Sequence, residues 1–518
     1  MRAPRAALAL LCAAVLAAAG CSSSTPEPQG GAPTTVPAPT GSVGVASEQA
    51  ADPANARFYD QELDWVGCGE GLECSTATVP VDWAAPAGAT LEVALARRPA
   101  GDADERRGAL LVNPGGPGGS GVDWVRGSPV VSEDVAEQYD VVGFDPRGVG
   151  SSAPVDCLSD PELDAYLSAD GPNPEAPGGL DALRAEASAF AAGCQADAGA
   201  LLPHVGTVDA ARDMDVLRAV LGSEQLDYLG KSYGTLLGAV YAGLFPQRVG
   251  RFVLDGALDP ASSYDEVTVG QAAGLEQALR AYVDDCPSRR GCPLAEETEA
   301  ALTQIRGVVD AAEASPLTTS TDQPLTGSLA TTGIITPLYD DESWPVLDQA
   351  LAEALDGQGE VLRQLADAYA DRRPDGTYAS NLLEAFVAVN CLDYPVDADP
   401  ERMRATADAL AQASPTFGES MAYGEVQCAA WPAPPTREPG PIAAEGAAPI
   451  LVVGTTGDPA TPYAWAQALA DELSSGRLLT WEGEGHTAYA RGSQCVDAAV
   501  DGWLLGGVLP GEGATCPG

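Results

Sequence analysis

QLDYLGKSYGTLLGAVYAGLF, residues 225–245, holds the pattern on which the fold is read. Leu226–Leu229 is a short apolar run of strand type, and GTLLGAVYAGLF after Tyr233 is a helical pattern that stops before Pro246. Between them stands Gly230-Lys231-Ser232-Tyr233-Gly234, the only Gly-x-Ser-x-Gly in the chain. Two glycines around a serine allow a sharp strand-to-helix turn that pushes the hydroxyl outward, and the helix N-terminus behind it favours developing negative charge. Ser232 is therefore a candidate nucleophile, the competing reading being a structural turn serine.

Outward from this segment, strand and helix signals alternate. Leu91–Arg97, Ala109–Asn113, Tyr139–Phe144, Arg251–Leu254, Ile450–Val453 and Arg477–Trp481 read as strands, several of them continuous apolar runs of the kind buried on both faces. Thr207 is placed to cap the helical pattern VDAARDMDVLRAVLG, which ends at Gly222. The alternation predicts an α/β fold with a mostly parallel sheet and helices on both sides. It stops near Pro260. From Ala261 to about Pro441 the signals are mainly helical (YDEVTVGQAAGLEQALRAYV, ESWPVLDQALAEAL, EVLRQLADAYADR, NLLEAFVAVN), and strands resume at Ile450. The expected organisation is a core of residues 57–260 and 442–518, with a helical cap, 261–441, inserted over the carboxyl end of the sheet, where such folds bind ligands.

Further residues have the chemistry a serine nucleophile needs. Leu111-Val-Asn-Pro-Gly-Gly-Pro-Gly-Gly-Ser-Gly121 follows a strand, and its glycines can turn N–H groups toward a substrate oxygen. Gly116 and Tyr233, the residue after the nucleophile, are the expected oxyanion donors, each worth roughly 3 kcal/mol of barrier. A phosphate-cradling loop would end in Gly-Lys-Ser/Thr, which is missing here. Serine also needs a base. The chain has two histidines; His486 follows the last predicted strand in Glu-Gly-Glu-Gly-His, and His204 reads as a loop or surface residue. Asp458, in Gly-Asp-Pro-Ala-Thr461-Pro, is the expected acid, with Asp255 as competitor. The order Ser232, Asp458, His486 is that of α/β-hydrolases. Thr461 is placed to hydrogen-bond the Asp458 loop, Asp145 and Arg147 to brace the loop after their strand, and Lys231, the one lysine, is given no role.

Composition narrows the functional classes. Hydrophobic residues make up 45%, which excludes wholesale disorder, and the formal net charge of −47 argues against a nucleic-acid surface or electrostatic docking on anionic lipid. Residues 1–20 read as a secretory signal: Arg2 and Arg5, an apolar run from Ala6 to Ala19, then small residues before Cys21. Cys21 with its following serines resembles a bacterial lipidation site, although Ala18 replaces the usual leucine; ordinary signal cleavage is the alternative. Residues 21–56, rich in Ser, Thr, Pro, Gly and Ala, read as a disordered tether. Of the twelve cysteines, ten fall beyond Cys21, an even number that reads as disulfides in an exported protein. The short intervals Cys68–Cys74 and Cys286–Cys292 point to neighbours pairing, five bridges in chain order. With no Cys-x-x-Cys and two histidines, no metal site is expected.

NPGGPGGSG, GFDPRGVGSS, GKSYG, GDPATP and GEGH, in this order around a cysteine-containing helical insert, resemble the secreted tripeptidyl aminopeptidases of high-GC Gram-positive bacteria, within the prolyl-aminopeptidase-like α/β-hydrolases. NCLDYP (390–395) and VQCAAWP (426–432) extend the resemblance into the cap and its junction. It implies an α/β-hydrolase fold, the triad Ser232, Asp458 and His486, no cofactor, and release of short peptides, often tripeptides, from free N-termini. An exopeptidase must also hold the substrate α-ammonium at a fixed distance from the nucleophile; Asp393 and Glu384 in the cap are the expected acceptors. The expected partners are thus peptides, with membrane contact only through Cys21. A carboxylesterase or lipase with the same triad, or a non-catalytic binding lipoprotein, are the alternatives.

Overall fold

The computed structural model describes residues 30–31, 33–35, 48–321 and 323–518. The signal segment, Cys21 and most of the tether lie outside the described residues. The apolar runs form a ten-stranded sheet, labelled here in chain order: β1 (Val66–Gly69), β2 (Leu72–Pro80), β3 (Thr90–Arg98), β4 (Gly108–Asn113), β5 (Tyr139–Phe144), β6 (Leu226–Lys231), β7 (Val249–Asp255), β8 (Ile450–Gly457), β9 (Gly476–Glu484) and β10 (Ala514–Pro517). Their spatial order is β10-β9-β8-β7-β6-β4-β5-β3-β2-β1. From β5 through β10 the ladders are parallel; β3, β2 and β1 join antiparallel. This is the α/β-hydrolase fold.

Both faces of the sheet are covered because its central strands are apolar on both sides. One core contains Leu111, Tyr228, Phe252 and Val452 under the helices Thr207–Val220, Tyr233–Leu244 and Tyr463–Glu472. The other contains Leu110, Leu229, Val253 and Val453 under Gly121–Gly127 and Gln494–Gly506. Between β7 and β8 the chain is helical. Tyr264–Asp285, Thr298–Ala314, Gly327–Ile335, Trp344–Leu355 and Glu360–Tyr369 enclose an apolar cluster of their own. Helix Gly179–Ala198, from the segment between β5 and β6, joins this layer: Ala187 packs with Met403, Tyr423 and Val426.

The Thr207 helix starts as expected, but Gly206 occupies the N-cap and Thr207 caps nothing. Its hydroxyl is engaged elsewhere, between Asp393 and the Tyr233 hydroxyl. Among the described residues five disulfides, Cys68–Cys74, Cys157–Cys194, Cys286–Cys292, Cys391–Cys428 and Cys495–Cys516, join neighbours in chain order as the spacing indicates. Among the described residues no helix is long and apolar enough to cross a membrane.

Sheet register sets the site. β4 lies beside β6 with Asn113 opposite Gly230, so the glycine-rich loop and the serine turn leave the sheet side by side. On the other flank Lys231 is opposite Asp255, and Gly457 is opposite Glu484. The loops bearing Asp458 and His486 are therefore neighbours.

Candidate active site

Ser232 is held at φ 55° and ψ −127°, a left-handed backbone that costs a serine of order 1–3 kcal/mol unless its surroundings enforce it. They do. Its N–H donates to Asp255 O at 2.9 Å, and Thr235 N–H donates back to Ser232 O at 2.8 Å. The flanking glycines are sterically required: a Cβ on Gly230 would lie 2.3 Å from Gly234 O, and one on Gly234 would lie 2.8 Å from Asn113 O. The same crowding fixes the glycine-rich loop. A Cβ on Gly115 would stand 2.5 Å from Lys231 O, and one on Gly118 would stand 2.5 Å from Leu382 O in the cap. The loop is thus wedged between the serine turn and a cap helix. Among the described residues neither the Gly116 nor the Tyr233 N–H donates to a protein acceptor, which leaves both available to a substrate oxygen.

Asp458 and His486 are brought together. His486 Nδ1 lies 2.8 Å and 3.1 Å from the two Asp458 oxygens. Ala460 N–H, Thr461 N–H and Thr487 N–H also donate to that carboxylate. Burial alone would raise the Asp458 carboxyl, but the adjacent His486 and these N–H donors hold it below its ordinary value. Thr461 Oγ1 approaches His486 Nδ1 at 3.4 Å. A Cβ on Gly256 would stand 3.1 Å from Thr461 Oγ1 and 3.4 Å from His486 Cε1. Gly256 follows the residue whose carbonyl holds Ser232, so serine and imidazole border one peptide unit. No hydrogen bond joins Ser232 Oγ to His486 here; such contacts commonly close only when substrate is bound.

Other singled-out residues take supporting places. Asp255 makes no hydrogen bond to the imidazole; it accepts from Ala488 N–H and Tyr489 N–H at 2.9 Å and 3.0 Å and so anchors the chain just beyond His486. Lys231, which the sequence left without a role, donates to Tyr489 O at 2.6 Å and lies 3.7 Å from Asp255. Asp145 accepts from Ser120 Oγ, Val122 N–H and Ser151 N–H, tying the end of the glycine-rich loop to the turn after β5. Arg147 is fully buried against Asp213 and the carbonyls of Pro80, Val81 and His204. His204 pairs with Asp209 at 3.3 Å.

The two carboxylates expected to meet a substrate amine face the protein instead. Asp393 is wholly buried and is bonded to the N–H and hydroxyl of Thr207, whose hydroxyl also meets Tyr233. Burial pushes its carboxyl up to about 6. Glu384 accepts from Cys157 N–H and Leu158 N–H at 2.6 Å and 2.8 Å, and burial pushes it up to about 7. Both sit on the cap helix Leu382–Asp393 but on its packed side, because each satisfies main-chain donors of the core. Phe386 and Asn390 of the same helix line a cavity of about 420 Å³ whose wall includes Gly116 and Tyr233 but not the side chains of Ser232, Asp458 or His486. Tyr166, Tyr264 and Tyr394 add aromatic walls. Among the described residues Glu186 is the one carboxylate in its lining, and no Lys or Arg lines it. Gln427, also in the wall, has a buried Nε2 without an acceptor. No group of three or more His, Cys, Asp or Glu among the described residues is arranged to hold a metal ion.

A family model described as TAP-like protein matches residues 414–516. The chain is 37% identical over 478 residues to the serine protease Hip1 of Mycobacterium tuberculosis, covering 88% of this chain and 91% of that one. It is 39% identical over 452 residues to carboxylesterase B of Mycobacterium tuberculosis, with 86% of each covered. To the tripeptidyl aminopeptidase of Streptomyces lividans it is 32% identical over 481 residues, covering 89% and 88%.

Proposed function

The chain belongs to the TAP-like family of α/β-hydrolases, serine hydrolases that include proteases and an esterase, and from that membership we propose that it is an exopeptidase releasing short peptides, tripeptides foremost, from free N-termini. His486 Nε2 takes the Ser232 proton as Oγ attacks the scissile carbonyl. The Gly116 and Tyr233 N–H groups receive the oxyanion, and Asp458 fixes the imidazole tautomer and its charge. Collapse of the tetrahedral intermediate breaks the C–N bond, and the His486 proton leaves with the amine. Water, deprotonated by the same imidazole, then releases the peptide acid.

The observation behind the peptidase reading is Glu186 in the wall of the cavity that Gly116 and Tyr233 also line. It offers a carboxylate to an α-ammonium, and the unpartnered Gln427 Nε2 offers a donor to a peptide carbonyl. The aromatic lining and the carboxylesterase relative favour a second reading, an esterase with an apolar acyl site. Parallel assays separate the two, on an unblocked tripeptide anilide, its N-acetylated twin and a short nitrophenyl ester. The peptidase prefers the unblocked peptide, and Glu186→Gln lowers kcat/KM on that substrate roughly tenfold while leaving the ester unchanged. Equal or better turnover of the blocked peptide sinks the reading.

The site itself is tested by Ser232→Ala, which lowers hydrolysis by about 10⁴-fold or more. We read Cys21 as a lipid anchor on an exported protein. The five disulfides support an oxidising compartment. Cys21→Ser then moves the enzyme from the membrane fraction to the medium.

A further inference from the structure

The loop bearing His486 is gripped by the cap as well as by the core. His486 N–H donates to Tyr339 O at 2.8 Å. The Tyr339 ring stands edge-on to the imidazole, centroids 5.3 Å apart and planes at 85°. Tyr339 ends a short helical turn, Thr336–Tyr339, between cap helices, and meets Tyr369 on its other side. One residue on, Asp340 accepts from Arg491 Nη2 at 2.7 Å. Arg491 Nη1 donates to the carbonyls of His486 and Thr487 at 3.2 Å and 3.1 Å. The fit leaves no slack: a Cβ on Gly485 would lie 2.7 Å from Arg491 and 2.9 Å from Tyr339 O.

We propose that Tyr339, Asp340 and Arg491 form a latch by which the cap positions His486, so that the imidazole is aimed at Ser232 only while this part of the cap is seated. Core contacts hold the residues on either side, Gly485 N–H on Gly457 O, Thr487 N–H on Asp458 and Thr455 Oγ1 on Thr487 O, but the main chain of His486 itself is bonded only to Tyr339 O and Arg491. Asp458 fixes Nδ1, and Asp255 with Lys231 fixes residues 488–489. The His486 N–H is fixed by the cap carbonyl, and the His486 and Thr487 carbonyls are bonded to Arg491, whose charge is paired with cap carboxylates at Asp340 and, at 3.7 Å, Asp341. Tyr339 and Asp340 are positioning residues; they act through the base.

The inference rests on Ser232 and His486 acting as nucleophile and base, and its test keeps the two apart. The full-length enzyme is assayed on the nitrophenyl ester and titrated with a fluorophosphonate, whose inactivation rate reports serine activation independently of peptide recognition. Asp340→Ala and Tyr339→Ala are expected to lower kcat and the inactivation rate constant about tenfold with KM within about twofold, since small misplacement of a reacting group is costly. Asp340→Asn keeps the acceptor that caps the following turn at Glu342 N–H and falls in between; Asp340→Glu restores most of the rate. If Asp340→Ala is poorly folded, Asp340→Asn decides. An unchanged inactivation rate in the folded variants overturns the latch, as does a loss carried wholly by KM. Fluorophosphonate labelling that persists in Ser232→Ala overturns the triad instead.

Discussion

Ser232 and the two glycines around it are a single steric unit. The serine backbone has positive φ, and Cβ atoms at Gly230 or Gly234 would overlap main-chain oxygens at 2.3 Å or 2.8 Å. Gly230→Ala is therefore expected to destabilise the fold by about 1–3 kcal/mol, the usual cost of overpacking, seen as a lower midpoint in urea unfolding, together with loss of activity. Asp458→Asn tests a different property. The asparagine oxygen can still accept from Ala460 and Thr461 N–H, which point at one carboxylate oxygen, but its amide no longer stabilises an imidazolium. Turnover is expected to fall about 10⁴-fold, and because the amide NH2 then faces Thr487 N–H in place of an acceptor, the melting temperature falls by the amount that the loss of one buried hydrogen bond, about 1–3 kcal/mol, brings. The sharp turn at Ser232 and the meeting of His486 with Asp458 were legible in the sequence because each stands in a distinctive local context between a strand and the segment that follows it. Glu186 was not. It is one of 74 acidic residues, on an exposed face of a helix, and nothing in its neighbours marks it as facing a cavity. Asp393 and Glu384 were misread for the converse reason: their position on a cap helix is visible in sequence, but which side of that helix packs inward is decided by Thr207, Cys157 and Leu158, far away along the chain.

At the level of elements, the central strands were legible as apolar runs, and their register does the assembling. Asn113 opposite Gly230, and Gly457 opposite Glu484, bring four loops to one end of the sheet. The edge strands were harder to see. β2, LECSTATVP, mixes polar and small residues because it pairs near the open edge, and β10 has four residues whose place depends on Leu479–Glu482 of β9. The helix Gly179–Ala198 lies in a stretch that the sequence assigns to the core, yet it contributes Leu183, Glu186 and Ala187 to the cavity wall. Where this segment meets the cap, Glu384 makes a pH-dependent contribution. Its carboxyl is raised by burial from 4.5 to about 7. Between these values the folded protein holds a proton that the unfolded chain has lost, so its stabilising contribution is complete below about pH 4.5 and is lost as pH rises through about 7. Glu384→Gln keeps an oxygen for Cys157 and Leu158 N–H and never ionises. The variant is expected to match the wild type near pH 4.5 and to exceed it by on the order of 1 kcal/mol at pH 8, read from urea unfolding at the two pH values.

Across the whole molecule, core and cap together line one cavity, and the disulfides allow stability and cavity shape to be tested separately. Cys157–Cys194 and Cys391–Cys428 each span 37 residues, so the chain-entropy model assigns them equal stabilisation, about 4 kcal/mol each against about 2 kcal/mol for a six-residue interval. Their surroundings differ. Cys391 and Cys428 both line the cavity whose wall includes Gly116 and Tyr233, whereas Cys157 and Cys194 do not, although all four pack in the same apolar cluster. Cys391 sits on the same helix as Phe386 and Asn390 and lines the cavity with them, and its bridge ties that helix to Gln427 and its neighbours. Replacing either pair by alanines is expected to lower the melting temperature by similar amounts. Only the Cys391/Cys428 double variant is expected to raise KM for an unblocked tripeptide several-fold, because only there does the wall of the cavity lose its cross-link. Melting curves and steady-state kinetics on both variants check this. Equal KM changes in the two would mean that the cavity is shaped by the packing of the cap as a whole and not by the bridge in its wall.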